Sequence, residues 1–120
     1  MNITKKGIII GLVVIIVLVF GLMIQGTSNE ETNSGLDEFA QCLTKKGVVM
    51  FGTSWCSYCN KQKELFETSF KYVDFVDCDN DKSACVNNGV KGYPTWKING
   101  ENYSGLQQLN IIAQLSGCEI

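Results

Sequence analysis

One long apolar run dominates the N-terminal part of the chain. From Gly7 to Ile24 no charged side chain interrupts the sequence, and this length approaches the ~20 apolar residues with which a helix spans a bilayer. The run is apolar on every side, whereas a surface helix of a globular domain is apolar on one face. We therefore predict a transmembrane signal-anchor at residues 7–24.

Charges on the N-terminal side of this run predict its orientation. Lys5 and Lys6 precede it, and positively charged flanks stay in the cytoplasm. Residues 1–6 are therefore predicted to be cytoplasmic, and the chain after the anchor is predicted to be extracytoplasmic (periplasmic, extracellular or lumenal). A cleaved signal peptide is the alternative, because the small residues at 26–28 resemble a cleavage site.

A polar segment follows the apolar run. Residues 25–35 are mostly small and polar and have no apolar periodicity, which is typical of a flexible, solvated tether. The folded domain is then expected at residues 36–120. A domain of this size buries a modest core and gains from disulfide bonds.

Apolar residues within this domain recur at two spacings. Apolar runs and period-two alternation predict strands, and apolar residues three or four positions apart predict helices. In chain order, we predict a helix at 36–46, a strand at 48–52, a helix at 56–69, a strand at 71–77, a helix at 79–88, strands at 95–98 and 101–104, and a helix at 106–116.

The order of these elements limits the topology. A strand–helix–strand connection makes the first two strands parallel, with a right-handed crossover. Asn99-Gly100 separates the last two predicted strands, and this dipeptide favours a tight antiparallel hairpin. The sequence therefore predicts an α/β domain with a four-stranded mixed sheet flanked by helices.

Composition narrows the possible functions. The 120-residue chain has a net charge of −2 and no basic stripe, so it lacks the electrostatic footprint of a nucleic-acid-binding protein. Its six cysteines are many for a compartment that keeps thiols reduced. An oxidising compartment is expected.

A Cys-x-x-Cys motif follows the first buried strand. Cys56 is predicted to lie in the first turn of the next helix, where unpaired backbone N–H groups and the helix dipole stabilise a thiolate. Cys59 lies one turn further on, close enough to form a disulfide with Cys56. An exposed, nucleophilic Cys56 with Cys59 as the resolving thiol would exchange disulfides with other proteins.

Two other interpretations of this motif are open. Cys-x-x-Cys is half of a zinc site, but zinc requires four ligands; the chain has no histidine, and Cys78 and Cys85 do not repeat the spacing. Cys56 and Cys59 could also form a purely structural disulfide. The strand–turn–helix context favours redox chemistry and no metal.

The only proline of the chain completes a wider pattern. Trp-Cys-Ser-Tyr-Cys at residues 55–59, Gly-Tyr-Pro-Thr-Trp at residues 92–96, and then a hairpin and a final helix resemble the thioredoxin superfamily. The resemblance implies a thioredoxin-like fold with a glutaredoxin-like core. It also implies Cys56 as nucleophile, Cys59 as resolving thiol and Pro94 as a cis proline.

The same resemblance implies a client-binding surface. The backbone before Pro94 would be free to pair with an extended client strand, with Tyr93 beside it. Trp55, directly before the nucleophile, is expected to shield and shape the site. Trp55, Tyr93 and Pro94 are therefore the expected client-binding residues.

A narrower resemblance covers most of the domain. Residues 39–47, 55–66 and 92–100 are similar to the thioredoxin-like domain fused to vitamin K epoxide reductase homologues of bacteria and plants. In that branch the domain passes electrons to a quinone-reducing membrane domain. No four-helix domain of that kind is recognisable in this sequence, so the resemblance implies a separate membrane partner and a disulfide-donor function.

One position departs from the family pattern. Ordinary thioredoxins carry a buried acid six residues before the nucleophile, and Met50 occupies that position here. Because the chain has no histidine, help with proton transfer is expected from water, from Lys61 or Lys63, or from Glu64.

Four cysteines lie outside the motif. The related domains have a comparable additional pair, which implies a structural disulfide between Cys78 and Cys85; two buried free thiols are the alternative. Cys42 and Cys118 remain, and a disulfide between them would join the two ends of the domain.

Several functions share these features. The leading hypothesis is a membrane-tethered thiol-disulfide oxidoreductase that acts on extracytoplasmic proteins. A reductase or isomerase is the first alternative, because the sequence does not set the direction of electron flow. A copper chaperone with two soft thiolates and a redox-inert peptide-binding module are the others. No flavin, haem or nicotinamide motif is visible, so no bound cofactor is expected.

Overall fold

The computed structural model describes residues 5–23 and 35–120. These residues belong to two compact units, 1–32 and 33–120, and each is described by itself. Most of the predicted cytoplasmic end and of the predicted tether lies outside the described residues.

The described part of the first unit is one helix, α1 (Lys5–Met23). It is 19 residues long, and none of its side chains is buried. The helix begins two positions earlier than the predicted span, since lysine is a good helix former and does not interrupt it. In length and composition, α1 fits a membrane span or a signal sequence.

The second unit contains four helices, four strands and one 3₁₀ segment within its described residues. In chain order they are α2 (Asp37–Lys45), β1 (Val49–Gly52), α3 (Ser57–Leu65), the 3₁₀ segment (Glu67–Tyr72), β2 (Asp74–Asp77), α4 (Lys82–Asn87), β3 (Thr95–Ile98), β4 (Glu101–Ser104) and α5 (Leu109–Ser116).

These strands form one mixed sheet in the order β2-β1-β3-β4. β1 pairs parallel with β2 and antiparallel with β3, and β3 and β4 form an antiparallel hairpin around Asn99 and Gly100. The predicted α/β fold with a four-stranded mixed sheet is confirmed.

The predicted helix at 56–69 is divided in two. α3 ends at Leu65, and the 3₁₀ segment follows from Glu67. Glu67 has a φ of 53°, which does not fit a right-handed helix. The break allows both Phe66 and Phe70 to pack against the core, where their ring centroids lie 6.0 Å apart. As a result β2 begins at Asp74, three residues later than predicted.

A buried amide connects α3 to the sheet. The Gln62 side chain is fully buried, and its Oε1 accepts hydrogen bonds from Trp96 Nε1 (3.0 Å) and the Gln107 backbone N–H (2.8 Å). Its Nε2 donates to the Gln107 carbonyl (2.9 Å). Since a buried polar group without a partner costs about 1–3 kcal/mol, this network fixes the position of α3 on β3. The same bonds help explain why α5 begins at Leu109 rather than at residue 106.

Two disulfides link residues of this unit, one across a long stretch of sequence and the other across a short one. One joins Cys42 of α2 to Cys118 after α5, across a sequence separation of 76. The other joins Cys78 after β2 to Cys85 in α4, across a separation of 7. Cys56 and Cys59 are free thiols.

The two disulfides should contribute unequally to stability. The longer loop restricts the unfolded chain more, so the Cys42→Ala/Cys118→Ala variant should lose roughly 4 kcal/mol and the Cys78→Ala/Cys85→Ala variant roughly 2–3 kcal/mol. Urea unfolding of the full chain in detergent, followed by tryptophan fluorescence, measures both losses, since Trp55 and Trp96 both lie in this unit. A larger loss from the short-loop pair would contradict the prediction.

Candidate active site

The two free thiols lie where β1 passes into α3. Cys56 is the N-cap residue of α3, immediately before the first turn in which it was predicted. Its Sγ accepts a hydrogen bond from the Cys59 backbone N–H at 3.2 Å. This N–H is one of those left unpaired at the start of a helix, so the fold presents it to sulfur.

The two sulfurs differ in access to solvent. Cys56 is 8% exposed and Cys59 is 0% exposed. The nucleophile was expected to be openly exposed, and the structure corrects this, because most of the Cys56 surface is covered. It remains the more accessible of the pair.

Cys59 is enclosed by the end of the sheet. Burial raises the pKa of Cys59 to about 11, and a hydrogen bond with the Cys56 thiol acts in the same direction. The Thr53 backbone N–H and the charge of Lys63 oppose this rise. At neutral pH only on the order of one Cys59 in 10,000 would therefore be a thiolate.

Gly52 makes room for the Cys59 sulfur. A Cβ added at Gly52 would lie 2.7 Å from Cys59 Sγ and 3.3 Å from Phe75 Cε2. No side chain other than hydrogen fits this gap, so a glycine at the end of β1 allows the sulfur to lie directly on the strand backbone.

A buried hydroxyl lies next to this contact. Thr53 Oγ1 is buried and has no hydrogen-bond partner among the residues that the structure describes. Met50, at the position of the usual acid, is fully buried in the core. It is an apolar residue, so this position supplies no group that could take up a proton.

The proline segment meets the motif through an aromatic contact. The Tyr93–Pro94 peptide is cis, and Pro94 is buried. The rings of Trp55 and Tyr93 meet edge to face with centroids 6.1 Å apart. Trp55 is 68% exposed and Tyr93 is 39% exposed, so an accessible aromatic surface lies beside the thiols.

Sequence reasoning missed Asp79. Its Oδ2 accepts a hydrogen bond from Trp55 Nε1 at 2.8 Å, which ties the indole to the segment just after β2. The parallel pairing of β1 and β2 could have indicated this contact, because the carboxyl ends of parallel strands lie at the same edge.

The other four cysteines are joined in the two disulfides. Cys78 and Cys85 pack with Phe51 in a separate apolar cluster. Within residues 5–23 and 35–120, no group of three or more potential metal-ligating side chains comes together. Only Cys56 and Cys59 are thus placed for thiol chemistry.

Fold and site together define a Cys-x-x-Cys domain on a mixed sheet with a cis-proline loop. The family description Thioredoxin matches residues 29–115. The chain belongs to the thioredoxin family.

Two similar proteins have names that refer to thiol-disulfide chemistry. Thiol-disulfide oxidoreductase LTO1 of Arabidopsis thaliana is 33% identical over 100 residues, which cover 72% of this chain and 27% of that protein. Protein disulfide isomerase-like 2-2 of Oryza sativa subsp. japonica is 34% identical over 86 residues, or 60% of this chain and 23% of that protein. The chain spans about a quarter of the length of these two relatives.

One solved structure, Fasciola hepatica thioredoxin, aligns with a TM-score of 0.44 and 23% identity, over 60% of this chain and 79% of that one.

The gap at Gly52 predicts a sharp substitution effect. Gly52→Ala should displace Cys59, costing about 1–3 kcal/mol of unfolding free energy and slowing closure of the Cys56–Cys59 disulfide. Gly92→Ala is the matched control, because its Cβ would meet nothing within 4 Å. Urea unfolding and the rate of disulfide formation with oxidised glutathione measure the two effects. Equal behaviour of the two variants would contradict the prediction.

Proposed function

We propose that this chain is a membrane-anchored thiol-disulfide oxidoreductase acting on extracytoplasmic proteins, with Cys56 as nucleophile and Cys59 as resolving thiol. The asymmetry of the pair carries the proposal: Cys56 is the more accessible sulfur, and Cys59 is sealed against Gly52. A nucleophile needs access to its client, and a resolving thiol needs only access to the nucleophile.

In the donor direction, the disulfide passes from the protein to its client. A client thiolate attacks Sγ of Cys56 in the Cys56–Cys59 disulfide, and Cys59 leaves as a thiolate that takes up a proton. A second client thiolate then attacks the client sulfur of the mixed disulfide and releases Cys56. The client gains one disulfide, and the protein retains two electrons as its dithiol.

Trp55, Tyr93 and Pro94 are proposed to hold the client during this exchange. The exposed faces of Trp55 and Tyr93 offer apolar contact, and the Asp79 hydrogen bond keeps the indole in place. The backbone that leads into Pro94 lies at the start of β3 and offers groups for pairing with an extended strand.

The proposed arrangement in the cell follows from α1. We propose residues 1–6 as a cytoplasmic end, 7–24 as the anchor, 25–35 as the tether and 36–120 as the extracytoplasmic catalytic domain. The length and apolar character of α1 support an anchor, and the Cys42–Cys118 and Cys78–Cys85 bonds suit an oxidising compartment.

The proposed redox partner is a separate membrane enzyme of the vitamin K epoxide reductase type. Two electrons must leave the dithiol after each client, and an anchored domain meets membrane partners at raised local concentration. The sequence similarity of residues 39–47, 55–66 and 92–100 to domains fused to such enzymes supports this choice. The protein would then be a disulfide donor.

A second candidate is a disulfide reductase or isomerase. The relative named protein disulfide isomerase-like favours it. The same two thiols would then receive electrons from a membrane reductant and pass them outward.

Substitution of each thiol tests the assigned roles. Cys59→Ala should accumulate mixed disulfides with clients, because Cys59 can no longer release a bound client by attacking Sγ of Cys56, whereas Cys56→Ala should accumulate none. Non-reducing electrophoresis of acid-quenched native cells, followed by mass spectrometry of the trapped species, measures this. Trapping by Cys56→Ala alone would reverse the roles, and trapped clients that are all cytosolic would contradict the proposed location.

The redox state of the pair in cells tests the direction. The Cys56–Cys59 pair should be mostly oxidised and should become reduced when quinone is depleted. Acid quenching and alkylation with a mass-adding reagent measure this, with the double variant Cys56→Ala/Cys59→Ala giving the background from the other four cysteines. A pair that is mostly reduced in growing cells would overturn the donor direction and support the reductase or isomerase.

A further inference from the structure

The resolving step requires a proton to leave Cys59. This sulfur is completely buried, and its pKa is raised mainly by burial. The position of the usual acid holds Met50, so no carboxylate acts from there. Some other feature of the site must favour the thiolate.

Lys63 is placed to supply a positive charge. It lies one helical turn after Cys59 in α3, and residues four apart lie on the same helix face. Its Nζ lies 4.1 Å from the ring centroid of Phe75 and 5.6 Å from that of Phe70. The two rings hold the ammonium group against the protein instead of leaving it in bulk water.

Phe75 connects this cation to the sulfur. Its ring edge and Cys59 Sγ both lie next to the Cα of Gly52, where an added Cβ would touch both. The Phe75 ring is therefore close to both the ammonium group and the thiol, and both Lys63 and Phe75 are partly buried. At a partly buried position a charge is screened less than it is in bulk water.

Neighbouring charges on α3 are placed differently. Lys61 Nζ lies 5.3 Å from the ring of Tyr58, which is 58% exposed. Glu64 is exposed to solvent. Charges in such positions are strongly screened.

The residues of β1 and β2 next to Cys59 supply no positive charge, so Lys63 is the cation that acts on it. β1 contributes Gly52 and β2 contributes Phe75, and both are uncharged. Asp77, at the end of β2, accepts a hydrogen bond from the Asp79 backbone N–H. Among the described residues, Cys56 and Lys63 are the ionisable groups whose charges act on Cys59, with opposite sign.

We propose that Lys63 is a positioning residue for the resolving step: held on Phe75 and Phe70, its ammonium group stabilises the Cys59 thiolate and so takes over the task of the missing acid. The proposed action of Lys63 is through its charge alone. This inference rests on the proposed roles of Cys56 and Cys59.

The resolving step requires no reagent other than the mixed disulfide and water. Cys59 gives its proton to water, and its thiolate attacks Sγ of Cys56 in the mixed disulfide. The bond between Cys56 and the partner sulfur breaks, the partner leaves as a thiolate, and the Cys56–Cys59 disulfide forms. The protein loses two electrons and the partner gains them.

The test follows the resolving step directly. The reduced full chain in detergent is mixed with excess of an aromatic disulfide that releases a coloured thiolate. Formation of the mixed disulfide on Cys56 releases the first equivalent at a rate that depends on reagent concentration. Attack by Cys59 releases the second equivalent at a rate that does not. The second rate is recorded against pH.

Lys63→Met removes the charge and keeps an apolar stem on the two rings. In this variant, release of the second equivalent should be about 3- to 10-fold slower at neutral pH. The midpoint of its pH profile should be raised by roughly half to one pH unit. Its first phase should be unchanged. Lys63→Gln should behave in the same way, so one misfolded variant does not decide the result.

Two further variants separate charge from packing. Lys63→Arg should keep the second rate within about twofold of the unsubstituted protein, because a guanidinium also stacks on aromatic rings. Lys61→Met is the matched control and should leave both phases unchanged.

Three results would overturn the inference. They are an unshifted pH midpoint in both neutral variants, an equal loss in Lys63→Arg, and an equal loss in Lys61→Met. A different set of results would show that the proposed roles of Cys56 and Cys59 are wrong. A second phase that is missing in the unsubstituted protein, or that persists in Cys59→Ala, would overturn the assignment of Cys59 and the inference with it.

Discussion

The contact between Cys59 Sγ and the backbone of Gly52 is the constraint on which the site depends. It places the Cys59 sulfur directly on the end of β1, out of reach of solvent. Burial then makes the thiol hard to ionise. The Gln62 network, one turn further along α3, holds the helix against β3 and so maintains this distance. The packing of α3 on the sheet and the ionisation of Cys59 thus both depend on a gap at residue 52 that only glycine fits.

Much of the fold was predictable because its determinants are local. Asn99-Gly100 defines the hairpin, and apolar periodicity locates most helices and strands. The break at Glu67 was not predictable, because it depends on how Phe66 and Phe70 pack in three dimensions. Such tertiary packing overrides the helical propensity of the segment.

The sequence was sufficient to identify the two thiols of the candidate site, but not the side chains that surround them. Cys56 and Cys59 stand out from their spacing and context alone. The hydrogen bond from Trp55 to Asp79, by contrast, joins residues far apart in sequence. The sequence left Lys61 and Lys63 equivalent, and only the aromatic rings contributed by other elements distinguish them.

The bond between Cys42 and Cys118 has a consequence for biogenesis. It joins the first helix of the domain to the segment after the last one, so it can close only after every strand has been synthesised. Until then, a newly made copy carries unpaired thiols of the kind that the Cys56–Cys59 site is proposed to exchange. Under the proposed disulfide-donor function, each new molecule would begin as a client of older ones, and the first functional generation would depend on an oxidant other than itself.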